Sequence, residues 1–115
     1  MKAPTVSSHF EDKAPTIRAI YDQLLMGVRA FGEFQEMPKN TLIHLENTTD
    51  FASISPRKNY ITLHFSLNRE FKNPRIAKVE QLSARRYKHT VKLQGVTDID
   101  AQLLTWLREA YELAE

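Results

Sequence analysis

The sequence contains no cysteine and only three glycines. Without cysteine there are neither disulfides nor thiolate metal sites. Three scattered glycines do not supply a phosphate-binding loop. No apolar run approaches the roughly 20 residues that a helix needs to span a bilayer, and residues 1–4 do not lead into the apolar core of a signal peptide. We therefore expect a cytoplasmic protein without membrane contact.

The 115 residues are 42% hydrophobic and 26% charged, a composition typical of globular proteins. Since a single domain commonly contains roughly 100–150 residues, the length suits one domain over residues 1–115. A chain of this size buries enough surface to fold without disulfides or metals. We expect an N-terminal arm over residues 1–14 and an α+β core over residues 15–115.

The net charge of +2 conceals a division along the chain. Residues 56–92, the basic segment, contain ten basic residues and two acidic ones, a local balance of +8. The remainder of the chain sums to −6. Because charge asymmetry affects steering and non-specific attraction rather than fold, the basic segment bears on the choice of partner.

Two segments show the period of an amphipathic helix. The first begins at Pro15 and ends at Gly32, residues that favour a helix start and a helix end respectively. The second begins after Thr97 and Asp100, whose spacing resembles a capping box, and runs to the C-terminus. A single helical turn capped by Thr5 is expected within the arm.

Three segments, residues 41–46, 60–67 and 87–93, alternate between apolar and polar residues, which is typical of strands with one buried face. Residues 51–55 are predicted to form a further short strand that ends at Pro56. Short links between the first three of these four segments along the chain favour sequential antiparallel pairing. Residues 68–84 lack the alternation and predict a long loop with one helical turn. The expected fold is a two-layer α+β sandwich of order α-β-β-β-β-α, in which both helices cover one face of a four-stranded antiparallel sheet.

Several short motifs resemble the bacterial family called domain of unknown function 5655. The resemblance covers nearly the whole chain from Thr5 onward. It implies no catalytic residue and no ligand, because the family's name states no activity. The motifs are His9-Phe10, Tyr21-Asp22-Gln23-Leu24-Leu25, Phe51-Ala52, Pro56-Arg57-Lys58, Asn73-Pro74-Arg75-Ile76, Val79-Glu80-Gln81-Leu82-Ser83, Asp100 and, as the most specific, Trp106-Leu107-Arg108-Glu109-Ala110-Tyr111-Glu112.

The histidines are the first candidates for chemistry. His44 and His64 lie on the polar faces of two predicted strands, and with Glu46 they would form a metal site only in a suitable strand register. Because no local spacing motif supports that site, we expect no metal. His89 shares its strand face with apolar residues, which favours a structural histidine bonded to a backbone carbonyl or a carboxylate; a catalytic histidine is the alternative. Since no serine lies in a nucleophile motif, we expect neither a catalytic residue nor a cofactor.

The basic segment is the strongest indication of function. Its cations and the interleaved Tyr60, Phe71 and Tyr87 would suit phosphate contacts and base stacking on a single-stranded nucleic acid. The alternative is an ordinary basic surface. We expect a non-catalytic binding or accessory module for an anionic ligand or a protein partner, with direct nucleic-acid binding and a histidine-dependent enzyme as alternatives. A further alternative is a homodimer in which residues 51–55, as an exposed edge strand, pair with the same strand of a second copy. The residues expected to bind are Arg57, Lys58, Tyr60, His64, Arg75, Arg85, Arg86 and His89.

Overall fold

The computed structural model describes residues 4–114 and shows a six-stranded antiparallel sheet with two helices packed on one face. The helices are α1, Pro15–Arg29, and α2, Ala101–Leu113. The strands are β1 Gln35–Pro38, β2 Ile43–Glu46, β3 Asp50–Pro56, β4 Ile61–Leu67, β5 Ile76–Ser83 and β6 Arg86–Leu93, in the sheet order β1-β2-β3-β4-β6-β5.

The α+β class and the two terminal helices are confirmed, but the prediction of four strands is wrong. β1 has no fully buried residue, so it lacks the apolar alternation by which the equally short β2 was predicted. β5 occupies nearly half of residues 68–84, the stretch that predicted a loop. Its pairing with β6 shifts register between Ile76 and Lys78 and again between Gln81 and Ser83. Each shift interrupts the two-residue period, so the sequence of β5 does not alternate.

The helix termini follow local chemistry. α1 begins at Pro15, whose missing N–H would have no partner inside the helix. α2 begins after Asp100, whose carboxylate accepts a 3.0 Å hydrogen bond from the Leu103 backbone N–H. Thr97 does not cap this helix, contrary to the sequence-based expectation, because it lies in a 3₁₀ turn at Val96–Asp98.

The two faces of the sheet differ in polarity. In β4 the apolar residues, including Leu63 and Phe65, are buried, whereas Thr62, His64 and Ser66 between them remain partly exposed. The register of the ladder extends this division to the neighbouring strands. No helix in the described chain covers the polar side, which we name the open face. The buried side holds the core beneath α1 and α2.

One connection crosses the sheet. Because β6 lies between β4 and β5, the chain from β4 to β5 must pass over β6. Residues 68–75, which we name the strap, cross on the helix-covered side. Arg69 donates to the carboxylate of Glu109, and Arg75 donates to the carboxylate of Asp100. These bonds fasten both ends of the strap to α2 or to its N-cap.

The N-terminal arm also packs against the core. It contains a 3₁₀ turn at Ser7–Phe10, and Phe10 is buried with its ring centroid 5.1 Å from that of Tyr21. Thr5 and Ser8 exchange backbone-to-hydroxyl hydrogen bonds at this turn. Among residues 4–114, no helix has the length and apolarity of a membrane span.

Candidate functional site

The cations of the basic segment do not form one continuous patch. Arg57 and Lys58 lie in the β3–β4 hairpin, at the end of the sheet where β6 finishes. Arg85 and Arg86 lie where β6 begins. An eight-residue strand therefore separates the two pairs by roughly 25 Å. One ligand group cannot contact both pairs.

Arg75 lies on the other side of the sheet from the open face. Its guanidinium donates to the Asp100 carboxylate at 2.8 Å and to the Asp98 carbonyl at 2.7 Å, and it lies over the ring of Trp106. Three-quarters of its side chain is withdrawn from solvent, since 24% remains exposed. The structure therefore uses Arg75 to hold the strap.

His89 is fully buried on the helix-covered side. Its Nδ1 lies 3.2 Å from the Tyr87 carbonyl oxygen, so the backbone supplies the partner expected of a structural histidine. The imidazole stacks on Phe65 at 5.3 Å and on Phe71 at 4.9 Å between ring centroids. Burial lowers the pKa of His89, which keeps the ring neutral.

The aromatic residues of the basic segment are dispersed rather than arranged in a row. Phe71 packs against Trp106 on the helix-covered side. Tyr87 pairs with the buried Leu67, which places it on the same side. Of these three residues only Tyr60 lies on the side of the open face, where its ring centroid is 4.5 Å from Nζ of Lys92. A platform for several stacked bases is therefore not formed by these residues.

A groove in the open face brings other polar residues together. It has a volume of about 260 Å³. β2, β3, β4 and β6 each contribute to its walls, because their open-face side chains meet across the ladder. The residues that define this open-face groove are His44, Asp50, His64, Ser66, Arg86 and Lys88.

Asp50 links two cationic or ionisable groups in the groove. Its Oδ2 lies 3.4 Å from Nη2 of Arg86 and 3.7 Å from Nδ1 of His44. Nε of Arg86 also donates to the hydroxyl of Ser66 at 3.3 Å. A guanidinium carries more N–H donors than these two bonds use, so Arg86 retains donors for a ligand.

His64 lies beside this cluster on β4. Its Nδ1 is 2.9 Å from Oγ1 of Thr90. Burial, followed by the positive charge of Lys88, lowers the pKa of His64, which favours a neutral ring at neutral pH. The Nζ of Lys88 lies 3.6 Å from a carboxylate oxygen of Glu80, and Lys78 lies 3.1 Å from the same oxygen. Half-exposed pairs of this kind hold their partners weakly.

The two open-face histidines have different partners. Both His44 and His64 pair with Ser53, so β3 lies between them. Nδ1 of His44 lies 3.7 Å from the Asp50 carboxylate, whereas Nδ1 of His64 lies 2.9 Å from the Thr90 hydroxyl. Within residues 4–114 no three histidine or carboxylate side chains form a metal-binding group.

Sequence reasoning missed Asp50, Ser66 and Lys88 as members of this site. Asp50 lies outside the basic segment, and it meets Arg86 and Ser66 only because β3, β4 and β6 are neighbours. Strand order is a property of the folded sheet, and no local motif in the sequence encodes it. Of the predicted residues, His64 and Arg86 belong to the groove, and Arg85 lies beside it.

Comparison with known proteins agrees with the resemblance seen in the sequence. The family described as Domain of unknown function (DUF5655) matches residues 6–114. No curated protein and no solved structure gives a significant match. The matched range includes both helices and all six strands, and the family description states no activity.

Proposed function

The chain belongs to the family described as Domain of unknown function (DUF5655), and because that membership supplies no activity, we propose a function from the geometry of the open-face groove. The domain is a non-catalytic binding module. Its groove receives an anionic group, a carboxylate or a phosphate, of a ligand or partner protein. The single observation that carries the proposal is the half-exposed guanidinium of Arg86, which retains free donors beside Lys88 and Ser66.

Arg86 suits anion recognition for a geometric reason. A guanidinium binds carboxylate and phosphate oxygens through parallel N–H bonds, which gives direction as well as charge. Lys88 adds a second positive charge along the same strand face. The hydroxyl of Ser66 and the neutral ring of His64 add uncharged polar groups to the lining.

Asp50 competes with an incoming anion for Arg86. Its Oδ2 lies 3.4 Å from Nη2 of Arg86, and its side chain lines the groove. An anion must therefore displace this carboxylate or bind beside it, against like-charge repulsion. The pair is more than a third exposed, so displacement costs little. Asp50 thus lowers the affinity of the groove for anions. Anions of higher charge compete with it better than anions of lower charge.

Two substitutions with a matched control test this function. Inorganic phosphate and succinate are titrated at low ionic strength, and the backbone amides are followed by NMR. We expect shifts around His64, Arg86 and Lys88. Arg86→Ala should weaken binding about tenfold or more, because a hydrogen bond to a charged group contributes roughly 1.5–3 kcal/mol. Asp50→Asn should strengthen it several-fold, because a competing charge is removed.

Arg108→Ala is the control, because it removes an exposed cation of the same type from α2, on the other side of the sheet. It should leave anion affinity nearly unchanged. Equal losses in Arg108→Ala and Arg86→Ala would show only general charge attraction and would contradict a specific groove. Saturable anion binding that Arg86→Ala leaves unchanged would also contradict it.

Nucleic-acid binding receives less support from the same geometry. The two arginine-containing hairpins are roughly 25 Å apart, and two of the three candidate stacking residues lie on the helix-covered side. A single-stranded nucleic acid would need a continuous cationic path with aromatic platforms. The open-face groove offers one local anion site instead.

A further inference from the structure

A second pocket adjoins the open-face groove at the end of the sheet where β6 begins. It has a volume of about 190 Å³ and lies between that end of the sheet and the last turn of α2. Arg85 and Arg86 of the β5–β6 hairpin bound it on one side, and Phe51, Leu67 and Leu113 bound it on the other. We name it the end pocket. Arg86 lines both the groove and the end pocket, so the two meet at its guanidinium.

The side of the end pocket towards α2 is apolar. Phe51 and Leu67 are buried in the core below it, and Ala110 of α2 is buried as well. Leu113, in the last turn of α2, remains 47% exposed beside them. A ligand that covers Leu113 removes apolar surface from water, which favours binding.

The β2–β3 turn fixes this side of the pocket. The backbone N–H groups of Thr48 and Thr49 donate to the carbonyl of Ala114 at 3.1 and 3.2 Å, and the side-chain amide of Asn47 donates to the carbonyl of Tyr111 at 3.4 Å. Carbonyls in the last turn of a helix lack partners inside the helix. Because these two already have partners, a ligand needs no hydrogen-bond donor on this side.

The other side of the end pocket is cationic. In the described chain Arg86 uses Nε for Ser66 and Nη2 for Asp50, which leaves the two N–H donors of Nη1. Arg85, which is exposed, adds a second positive charge. The C-terminal end of a helix such as α2 carries a partial negative charge. An anionic group is therefore attracted to Arg86 and repelled from the end of α2, which orients a ligand that has one charged end.

We propose that the ligand is a small monocarboxylate with an apolar chain, whose carboxylate binds Arg86 and whose chain fills the end pocket against Leu113. This inference rests on the proposed function, because it takes the anion site at Arg86 and names the class of ligand. The size of the chain follows from the volume of the pocket. An apolar cavity of about 150 Å³ holds a benzene molecule, so about 190 Å³ accepts a chain of about six carbon atoms.

The test compares acetate with hexanoate, which carry the same charge and differ by four methylene groups. Both are titrated at low ionic strength, and the backbone amides are followed by NMR. Both acids should shift Arg86 and Lys88, and hexanoate alone should shift Asn68 and Leu113. Hexanoate should bind about tenfold or more tightly, because each buried methylene increases affinity about fourfold. Octanoate should gain less than about twofold over hexanoate, because its two further methylenes exceed the pocket.

Two leucine variants locate the chain of the ligand. Leu113→Ser should lower the ratio of hexanoate affinity to acetate affinity about threefold or more. Leu82→Ser is the matched control, because Leu82 is 50% exposed and lies on β5, beside the open-face groove. It should leave the ratio unchanged. Both leucines are half-exposed, so the two variants keep the core intact. Arg86→Ala should weaken the binding of both acids.

The outcomes separate this inference from the proposed function. Equal affinities for acetate and hexanoate would overturn the ligand class and leave the anion site in place. No binding of acetate, hexanoate or phosphate would overturn the proposed function itself. A preference for hexanoate that is lost in Leu82→Ser and kept in Leu113→Ser would place the chain in the open-face groove. Hexanoate binding that Arg86→Ala leaves unchanged, or a tenfold gain for octanoate, would contradict the end pocket as described.

Discussion

Individual histidines link the folded state to pH. Burial lowers the pKa of both His64 and His89 below the ordinary value of 6.5. The unfolded chain therefore binds protons at a higher pH than the folded chain does. The free energy of unfolding is therefore at its full value above the histidine pKa of the unfolded chain, 6.5. It falls as the pH drops through 6.5 towards the lower pKa values of the folded chain, because protons then favour the unfolded state.

The pH dependence of urea unfolding tests this linkage. The free energy of unfolding should decrease from pH 7.5 to about pH 5, with His89 contributing because its ring has to stay neutral inside the core. In His89→Phe the decrease should be smaller, whatever the absolute stability of that variant. An identical slope in the two proteins would contradict a contribution from His89.

At the scale of elements, the periodicity of apolar residues predicted the helices and strands that have one buried face and one solvent-exposed face. α1 and β4 have complete stripes, so their residues predict them well. β5 is an edge strand with two register shifts, and it is held by backbone pairing to β6 rather than by an apolar stripe. The strap was expected to be irregular, but its attachment to α2 was not foreseen, because its partners lie 23 to 40 residues further along the chain.

The two anchors of the strap should differ in strength. Arg75 is 24% exposed and bonds to both the Asp100 carboxylate and the Asp98 carbonyl. Arg75→Ala should lower the free energy of unfolding by about 1–3 kcal/mol, since charged hydrogen bonds in a partly buried setting are lost. Arg69 is 51% exposed, and Arg69→Ala should cost less than about 1 kcal/mol. Urea unfolding of both variants measures the difference, and a larger loss for Arg69→Ala would reverse this ranking.

At the scale of the whole molecule, the charge division along the chain is only partly a division in space. A cleft of about 570 Å³ lies beside β1 and is lined by Glu33, Glu36 and Glu46 with Arg29. The cations of the basic segment are instead distributed over two hairpins, the open face and the strap. Specific recognition therefore depends on the local geometry of a groove, and net charge contributes only general attraction.

The edges of the sheet also differ from the sequence-based expectation. Residues 51–55 do not form an exposed edge, because β3 pairs with β2 on one side and β4 on the other. That route to a homodimer is wrong. The real edges are β1, which ends at Pro38, and β5, which carries Lys78 and two register shifts. Such features oppose pairing with a second sheet.

Self-association should therefore depend on Lys78, whose side chain is 65% exposed on the β5 edge. We expect the natural chain to be monomeric in light scattering at micromolar concentration, and Lys78→Ile to associate as its concentration rises, because an edge charge is replaced by a β-branched apolar group. Lys92→Ile, on the interior strand β6, is the matched control and should stay monomeric. Equal association of the two variants would show that exposed apolar area, rather than the strand edge, is responsible.

The sequence by itself determined the α+β class, both helices, four of the six strands and the family. The class, the helices and these strands follow from the residues close together in the chain that decide which face of each element is buried, and the family follows from its short motifs. Only the tertiary structure decided the strand order, the path of the strap, the meeting of Asp50 with Arg86, and the aromatic enclosure of His89. These features depend on contacts between residues far apart in the chain, which form only when the sheet is assembled, and no local pattern specifies them.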